Sequence, residues 1–223
     1  MASRQEEKEQ RRREREAREA AARKAAQRKR TLQIGGGAAI VIAVIVAIVV
    51  VATVGGGSSS GSSASAADVA AKARLAGCTF RSFPQFGREH TLGKVHYKTN
   101  PPTSGPHYPV PASDGVYAPG NEPAPTHAVH ALEHGRIEFE YKPGASSQDI
   151  QALVNLAQEP FNGTAAYHTL VFQNNTHMPF NFAAVAWQHY IGCANVSPAS
   201  IQAMRTFRQA FTDKAPEQIP QAE

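Results

Sequence analysis

The fold is decided by residues 136–157, which have the sequence RIEFEYKPGASSQDIQALVNLA. In residues 136–141, apolar and charged residues alternate, which is typical of a strand with one face in the core. The Pro-Gly pair at 143–144 ends this strand, and Ser146 begins a sequence that resembles a helix capping box. The apolar residues that follow have the spacing of an amphipathic helix: Ile150, Leu153, Val154 and Ala157.

Two further strands and one further helix are predicted towards the C-terminus. Residues 169–173 and 182–187 are apolar runs of the length of buried strands, and Ser197 with the following proline marks the start of a helix. The apolar face of that helix consists of Ile201, Met204, Phe207 and Phe211. The order strand, helix, strand, strand, helix predicts the α+β class: one domain with an antiparallel sheet and helices on one face.

A proline-dense region, residues 80–126, lies before the first predicted strand. A long region of this kind is either disordered or an ordered loop with a function. Its aromatic residues and histidines, among them Tyr97, His107 and Tyr117, favour an ordered loop.

Residues 34–54 carry no charge and are dominated by alanine, valine and isoleucine. As a helix these residues would extend about 31 Å, enough to cross the hydrocarbon core of a bilayer. A cleaved signal peptide would have a shorter apolar region closer to the N-terminus. We therefore expect one retained transmembrane helix.

The charge distribution predicts the orientation of this helix. Residues 1–33 hold 12 basic and 6 acidic residues, a net charge of +6, whereas the rest of the chain holds 11 basic and 12 acidic residues. Residues 28–30, Arg-Lys-Arg, precede the apolar segment directly, and such clusters stay on the cytoplasmic side and suit anionic lipid headgroups. We expect a cell-membrane protein with a cytoplasmic N-terminus and an extracytoplasmic domain. The basic tail then needs no nucleic-acid partner.

The chain thus divides into five predicted segments. They are a charged cytoplasmic tail (1–33), a transmembrane helix (34–54), a Gly/Ser/Ala-rich tether (55–75), the extracytoplasmic α+β domain (76–217) and a C-terminal tail (218–223).

Cys78 and Cys193 are the only cysteines, and both lie in the predicted extracytoplasmic domain. Because that compartment is oxidising, we expect a disulfide between them. A nucleophilic or metal-ligating thiol is the alternative.

Residues 127–135, HAVHALEHG, place three histidines close together. On a helix these histidines fall within about 60° of arc. Neutral imidazole is a common ligand for zinc and copper, and His107 ends a proline-restrained segment that could hold a further ligand in place. A zinc or copper site is therefore one hypothesis for these residues. The residues of this hypothesis are His107, His130 and His134, with Glu133 as a further ligand, as a hydrogen-bond partner that orients a ligand, or as a base.

Two alternatives use the same residues. The histidines could instead hydrogen-bond to loop backbone and pack the proline-rich region onto the sheet. The sequence of residues 130–134 also matches the H-x-x-E-H pattern of inverzincin hydrolases, but the predicted helix is short and no third carboxylate ligand is apparent. We therefore do not expect an enzyme. The remaining histidines, which are scattered, are not assigned to a site: His90, His96, His168, His177 and His189.

Four motifs resemble domain-of-unknown-function family 3105. They are NPPTSGPHY at 100–108, GVY at 115–117, HALEHGR at 130–136 and an aliphatic strand ending at Trp187. The resemblance covers roughly residues 78–217 and implies a mostly bacterial domain, often anchored by one N-terminal helix, with no established activity. It supports the architecture and adds no known reaction. The positions that match the family's motifs are His107, His130, Glu133 and His134, whereas His127 lies outside the motif and is a less favoured ligand.

The expected function is that of a single-pass, membrane-anchored extracytoplasmic domain which binds a metal ion or ligand through its His/Glu residues. A structural or protein-interaction module of the cell envelope, with a protein partner of unknown identity, is the main alternative. A zinc-dependent hydrolase is a minor one.

Overall fold

The computed structural model describes residues 64–217. The predicted cytoplasmic tail, transmembrane helix and C-terminal tail, and the first part of the tether, lie outside these residues. Within residues 64–217, none of the helices combines the length and apolar character that a bilayer span requires. The anchor therefore stays a prediction from the sequence.

The described residues form four helices and six strands, which confirms the α+β class. In chain order these are α1 (Ala66–Leu75), β1 (Thr79–Ser82), β2 (Gly115–Val116), α2 (Pro125–Glu133), β3 (Ile137–Tyr141), α3 (Ser147–Gln158), β4 (Thr169–Gln173), β5 (Phe182–Ala186), β6 (His189–Cys193) and α4 (Pro198–Phe211).

The six strands form one sheet in the order β1-β6-β5-β3-β4-β2. Three neighbouring pairs are antiparallel: β1 with β6, β6 with β5, and β5 with β3. The other two pairs, β3 with β4 and β4 with β2, are parallel. The prediction of an antiparallel sheet is therefore wrong, since the sheet is mixed. The physical reason is α3, which carries the chain back along the sheet so that β4 runs in the same direction as β3.

Helices cover both faces of the sheet. The main core joins α1, α3 and α4 to one face, through side chains such as Phe139, Ala184 and Phe207. Residues next to these in the strands point the opposite way, and there Val129 and Leu132 of α2 pack on Val185. The prediction that all helices share one face is therefore correct for three helices and wrong for α2, which shares its face with the proline-rich region.

α1 lies within the segment that its composition predicts to be a tether. Ser65 and Asp68 form a capping box at its start, and Val69 and Ala73 are buried in the main core. Cys78 follows this helix and forms the predicted disulfide with Cys193 at the end of β6. The described domain therefore includes α1, and the disulfide ties its start to the sheet.

Candidate functional site

The end of α2 brings the predicted site residues towards the proline-rich region. α2 ends at Glu133, His134 is its C-cap residue, and Gly135 follows with φ +81°. A Cβ at Gly135 would lie 2.8 Å from the Cα of Asp213, so glycine is needed both for the backbone conformation and for the close approach. This tight turn lets β3 begin directly after the helix.

Backbone pairing in the proline-rich region places a further histidine beside His107. The amide of His107 donates to the carbonyl of Glu89 at 3.0 Å, and the amide of Thr91 donates to the carbonyl of His107 at 2.7 Å. His90 therefore lies next to His107, with ring centroids 5.2 Å apart.

Four side chains converge at this point. One ligand atom from each of His90, His107, His130 and Glu133 lies within 4.8 Å of all the others. We call these four residues the His/Glu cluster. His90 is exposed, whereas the other three are buried. The cluster is therefore open to solvent at His90, whereas its other three residues are shielded from solvent.

Backbone carbonyls set the tautomers of the two buried imidazoles. Nδ1 of His107 lies 2.9 Å from the carbonyl oxygen of Gly105, and Nδ1 of His130 lies 2.6 Å from that of Tyr108. A carbonyl oxygen only accepts, so both Nδ1 atoms must carry the proton. In the neutral rings the lone pair is then on Nε2, and hydrogen bonds of this kind typically orient metal-binding histidines.

One buried contact in the cluster joins two acceptor atoms whenever His107 is neutral and Glu133 is ionised. Nε2 of His107 lies 3.0 Å from Oε2 of Glu133, and these side chains are 0% and 1% exposed. Neither Nε2 of His107 nor Oε1 of Glu133 has a hydrogen-bond partner among the described residues. A neutral His107 and an ionised Glu133 would repel each other, so this geometry requires a proton or a metal ion between them.

Burial shifts the pKa of two residues of the cluster. It lowers the pKa of His130 to about 4, so this imidazole is neutral at pH 7. Burial also raises the pKa of Glu133, an effect that the positive charge of a protonated His107 would oppose. Neutral imidazole is the form of histidine that binds metals.

His134 lies beside the cluster but is not one of the four converging residues. Its Nε2 is 3.0 Å from Nε2 of His130 and 3.6 Å from Oε2 of Glu217. The amide of Glu217 donates to the carbonyl of Glu133, so the segment after α4 passes along the end of α2. His134 thus connects His130 to the C-terminal segment.

The structure therefore brings together His107, His130 and Glu133 of the predicted set and adds His90. The sequence offered no signal for His90, because only the pairing of its backbone with His107 brings it to the site. His127 stacks on Tyr108, with ring centroids 4.4 Å apart, and does not belong to the cluster. Since both cysteines form the disulfide, no thiol is available as a ligand.

Comparison with known families places the chain. The model of the family described as "Protein of unknown function (DUF3105)" matches residues 89–223, which is more than half of the chain. The chain belongs to the DUF3105 family. This membership confirms the resemblance drawn from the sequence motifs, and the matched region contains every residue of the His/Glu cluster. No curated protein and no solved structure matches the chain.

Proposed function

We propose that this protein is a single-pass membrane protein whose extracytoplasmic domain binds one zinc ion through the His/Glu cluster. The observation that carries the proposal is the buried contact at 3.0 Å between Nε2 of His107 and the Glu133 carboxylate, which requires a proton or a metal ion between the two atoms. The imidazole of the exposed His90 and the lone pair on Nε2 of His130 complete the donor set; to bind the ion, this lone pair gives up its 3.0 Å contact with Nε2 of His134.

A metal ion accounts for more of the cluster than a proton does. A proton shared by His107 and Glu133 would satisfy that pair alone, whereas a metal ion would also bind His90 and His130, whose ligand atoms lie within 4.8 Å of the pair. Ligand atoms of tetrahedral zinc, each about 2.0–2.1 Å from the ion, lie about 3.3 Å from one another. The observed separation of 3.0 Å between His107 and Glu133 is close to this value, and ligand atoms that lie up to 4.8 Å apart would move inward to bind the ion.

The donor set favours zinc over copper. Three imidazoles and one carboxylate suit four-coordinate zinc, whereas Cu²⁺ prefers a square-planar or tetragonal arrangement. The exposed position of His90 provides a path by which an ion reaches the buried ligands. Copper remains the second ion to test.

The decisive experiment measures bound metal in the purified full-length chain in mild detergent. The protein is stripped with a chelator, reloaded with Zn²⁺ or Cu²⁺, desalted and analysed by mass spectrometry of the metal. We expect one zinc ion per chain, and its loss in His107→Ala and His130→Ala. His127→Ala is the matched control on α2 and should keep the ion, because His127 stacks on Tyr108 outside the cluster. Absence of stoichiometric metal from the reloaded wild type would refute the proposal.

Two further variants distinguish the ligand set of the sequence from that of the structure. We expect His90→Ala to weaken zinc binding, whereas His134→Ala should leave the stoichiometry at one. The reverse result would show that His134, rather than His90, completes the site.

The competing function is structural. In that case His107 and Glu133 form a buried ion pair that fastens the proline-rich region to α2, and the domain serves as an interaction module of the cell envelope. This alternative requires a folded wild type that binds no metal and a Glu133→Gln variant that is less stable. Its support is the near-complete burial of both side chains.

A further inference from the structure

Two glutamates are buried beneath α2, on the sheet face opposite the main core. Glu138 and Glu140 of β3 are each 2% exposed. In the sheet Glu138 lies between Leu170 and Val185, and Glu140 lies between Phe172 and Ala183. Both carboxyl groups therefore project from an apolar surface, which is a costly place for a charge.

The two buried carboxyl groups lack a full set of hydrogen-bond and charge partners among residues 64–217. Oε2 of Glu140 accepts a hydrogen bond from the side-chain amide of Asn174, but Oε1 of Glu138 has no partner among residues 64–217. Within the same residues, no basic side chain forms an ion pair with either glutamate. Two ionised carboxylates here would carry a charge of −2 without a counter-ion.

A small cavity separates the pair from α2. Its volume is about 10 Å³, and its walls include both glutamates together with Ala128 and Val129 of α2. A space of this size holds about one water molecule. This space is too small for the hydration that two charged carboxylates require unless one of its walls, which include α2, moves away.

We propose that Glu138 and Glu140 share one proton. Loss of this proton weakens the packing of α2 on the sheet and thereby weakens metal binding by the His/Glu cluster. This inference rests on the proposed function, because α2 carries His130 and Glu133. With the proton present, one of the two groups is a neutral carboxylic acid, and the pair carries a single negative charge. When the proton leaves to solvent, the two like charges draw water under the helix.

The surroundings of the pair contain little else that titrates. The residues of α2, β4 and β5 that pack around the pair are apolar. Two phenols lie nearby: Tyr97 in the proline-rich region and Tyr117 directly after β2. Burial raises the pKa of both phenols above the ordinary value, so they stay neutral. Burial likewise raises the pKa of Glu140 to about 7 and that of Glu138 well above its usual range, where the charge of Glu140 adds to the effect.

The expected pH dependence is opposite in sign to ordinary competition for histidine ligands. Protons displace metals from imidazole at acid pH, so simple ligand titration makes binding tighter as the pH rises. Release of the shared proton instead makes binding weaker above neutral pH, by at most about tenfold per pH unit for one proton. The two effects together produce a maximum in zinc affinity.

The test measures zinc affinity of the full-length chain between pH 6 and pH 9 by competition with a chelator of known pH dependence. We expect the wild type to lose affinity above pH 7, and Glu138→Gln and Glu140→Gln to retain it. Glu122→Gln is the control, because Glu122 bonds Gln173 outside the cavity and should leave the profile unchanged. Identical profiles in the wild type and both glutamine variants would overturn the inference.

A second measurement separates this inference from the proposed function. Amide hydrogen exchange of α2 in the metal-free chain, corrected for intrinsic rates, should accelerate between pH 7 and pH 9 in the wild type but not in Glu138→Gln. If no zinc binds at any pH, the proposed function fails, while the exchange data still report on the carboxyl pair. Unchanged protection of the α2 amides between pH 7 and pH 9 would refute the proposed effect of the shared proton on the packing of α2.

Discussion

Reduction of the Cys78–Cys193 disulfide should lower the free energy of unfolding of the domain by about 5 kcal/mol. The two cysteines are 115 residues apart in sequence, so the bond closes a loop that contains most of the fold. In the chain-entropy model, a loop of this length removes about 16 cal/mol/K from the unfolded chain, which is about 5 kcal/mol at 25 °C. This contribution is comparable to the whole net stability of a typical domain.

The assay is equilibrium unfolding of the full-length chain in urea and mild detergent, with and without a thiol reductant. With a urea dependence of about 2 kcal/mol/M, the reduced protein should unfold at a midpoint roughly 2–3 M lower. Because the chain has no other cysteine, the shift is attributable to this bond alone. A variant with Cys78→Ala and Cys193→Ala serves as the control and should respond to the reductant not at all.

A decrease below about 1 kcal/mol in the free energy of unfolding would refute this reasoning. It would mean that the unfolded chain gains little freedom when the bond is cut, or that strain in the folded state offsets the gain. The first case is testable, because residual structure in the reduced unfolded chain would also lower the urea dependence.

Three further outcomes are expected. Gly192→Ala should destabilise the domain, because its Cβ would lie 2.2 Å from the ring of Phe180, and adding Phe180→Ala should recover part of the loss in thermal unfolding. The Glu140 carboxyl group binds its proton more tightly in the folded chain than in the unfolded chain. Its protonation therefore contributes fully to the free energy of unfolding below pH 4.5, and this contribution is lost as the pH rises to about 7. The difference in unfolding free energy between Glu140→Gln and wild type should therefore grow by roughly 3 kcal/mol over that range, and a constant difference would contradict the assignment. Ser58→Cys should react with a membrane-impermeant thiol reagent on intact cells, whereas protection would reverse the proposed orientation.

Local periodicity was sufficient for most of the elements. The alternation in residues 137–141 and the amphipathic spacing in residues 150–157 depend on which side of a strand or helix faces the core, and neighbouring residues encode this directly. The helix around His130 followed from the same reasoning, and α2 ends where the glycine at 135 permits. The elements that were not predicted are α1, β1, β2 and β6. The alanine-rich sequence of α1 has only a weak apolar face.

The arrangement of these elements was harder to predict. The direction of β4 depends on how α3 returns the chain along the sheet, and no single segment records that path. The sheet face on which α2 packs was likewise not predictable from local sequence. Alternation alone suggests that Glu138 and Glu140 face solvent, whereas α2 packs over them and buries both. Competing packings of whole elements decide such features.

For the candidate site, the sequence by itself determined that His130 and Glu133 share one short helix, that His107 ends a restrained loop, and that two cysteines can pair. Each of these depends on spacing along the chain, and chain geometry converts spacing into position. Only the tertiary structure decided that His90 joins them, that carbonyls of Gly105 and Tyr108 turn two lone pairs inward, and that the Glu133 carboxylate meets His107 out of contact with water. Those contacts join residues far apart in sequence, so they exist only once the proline-rich region has packed against α2.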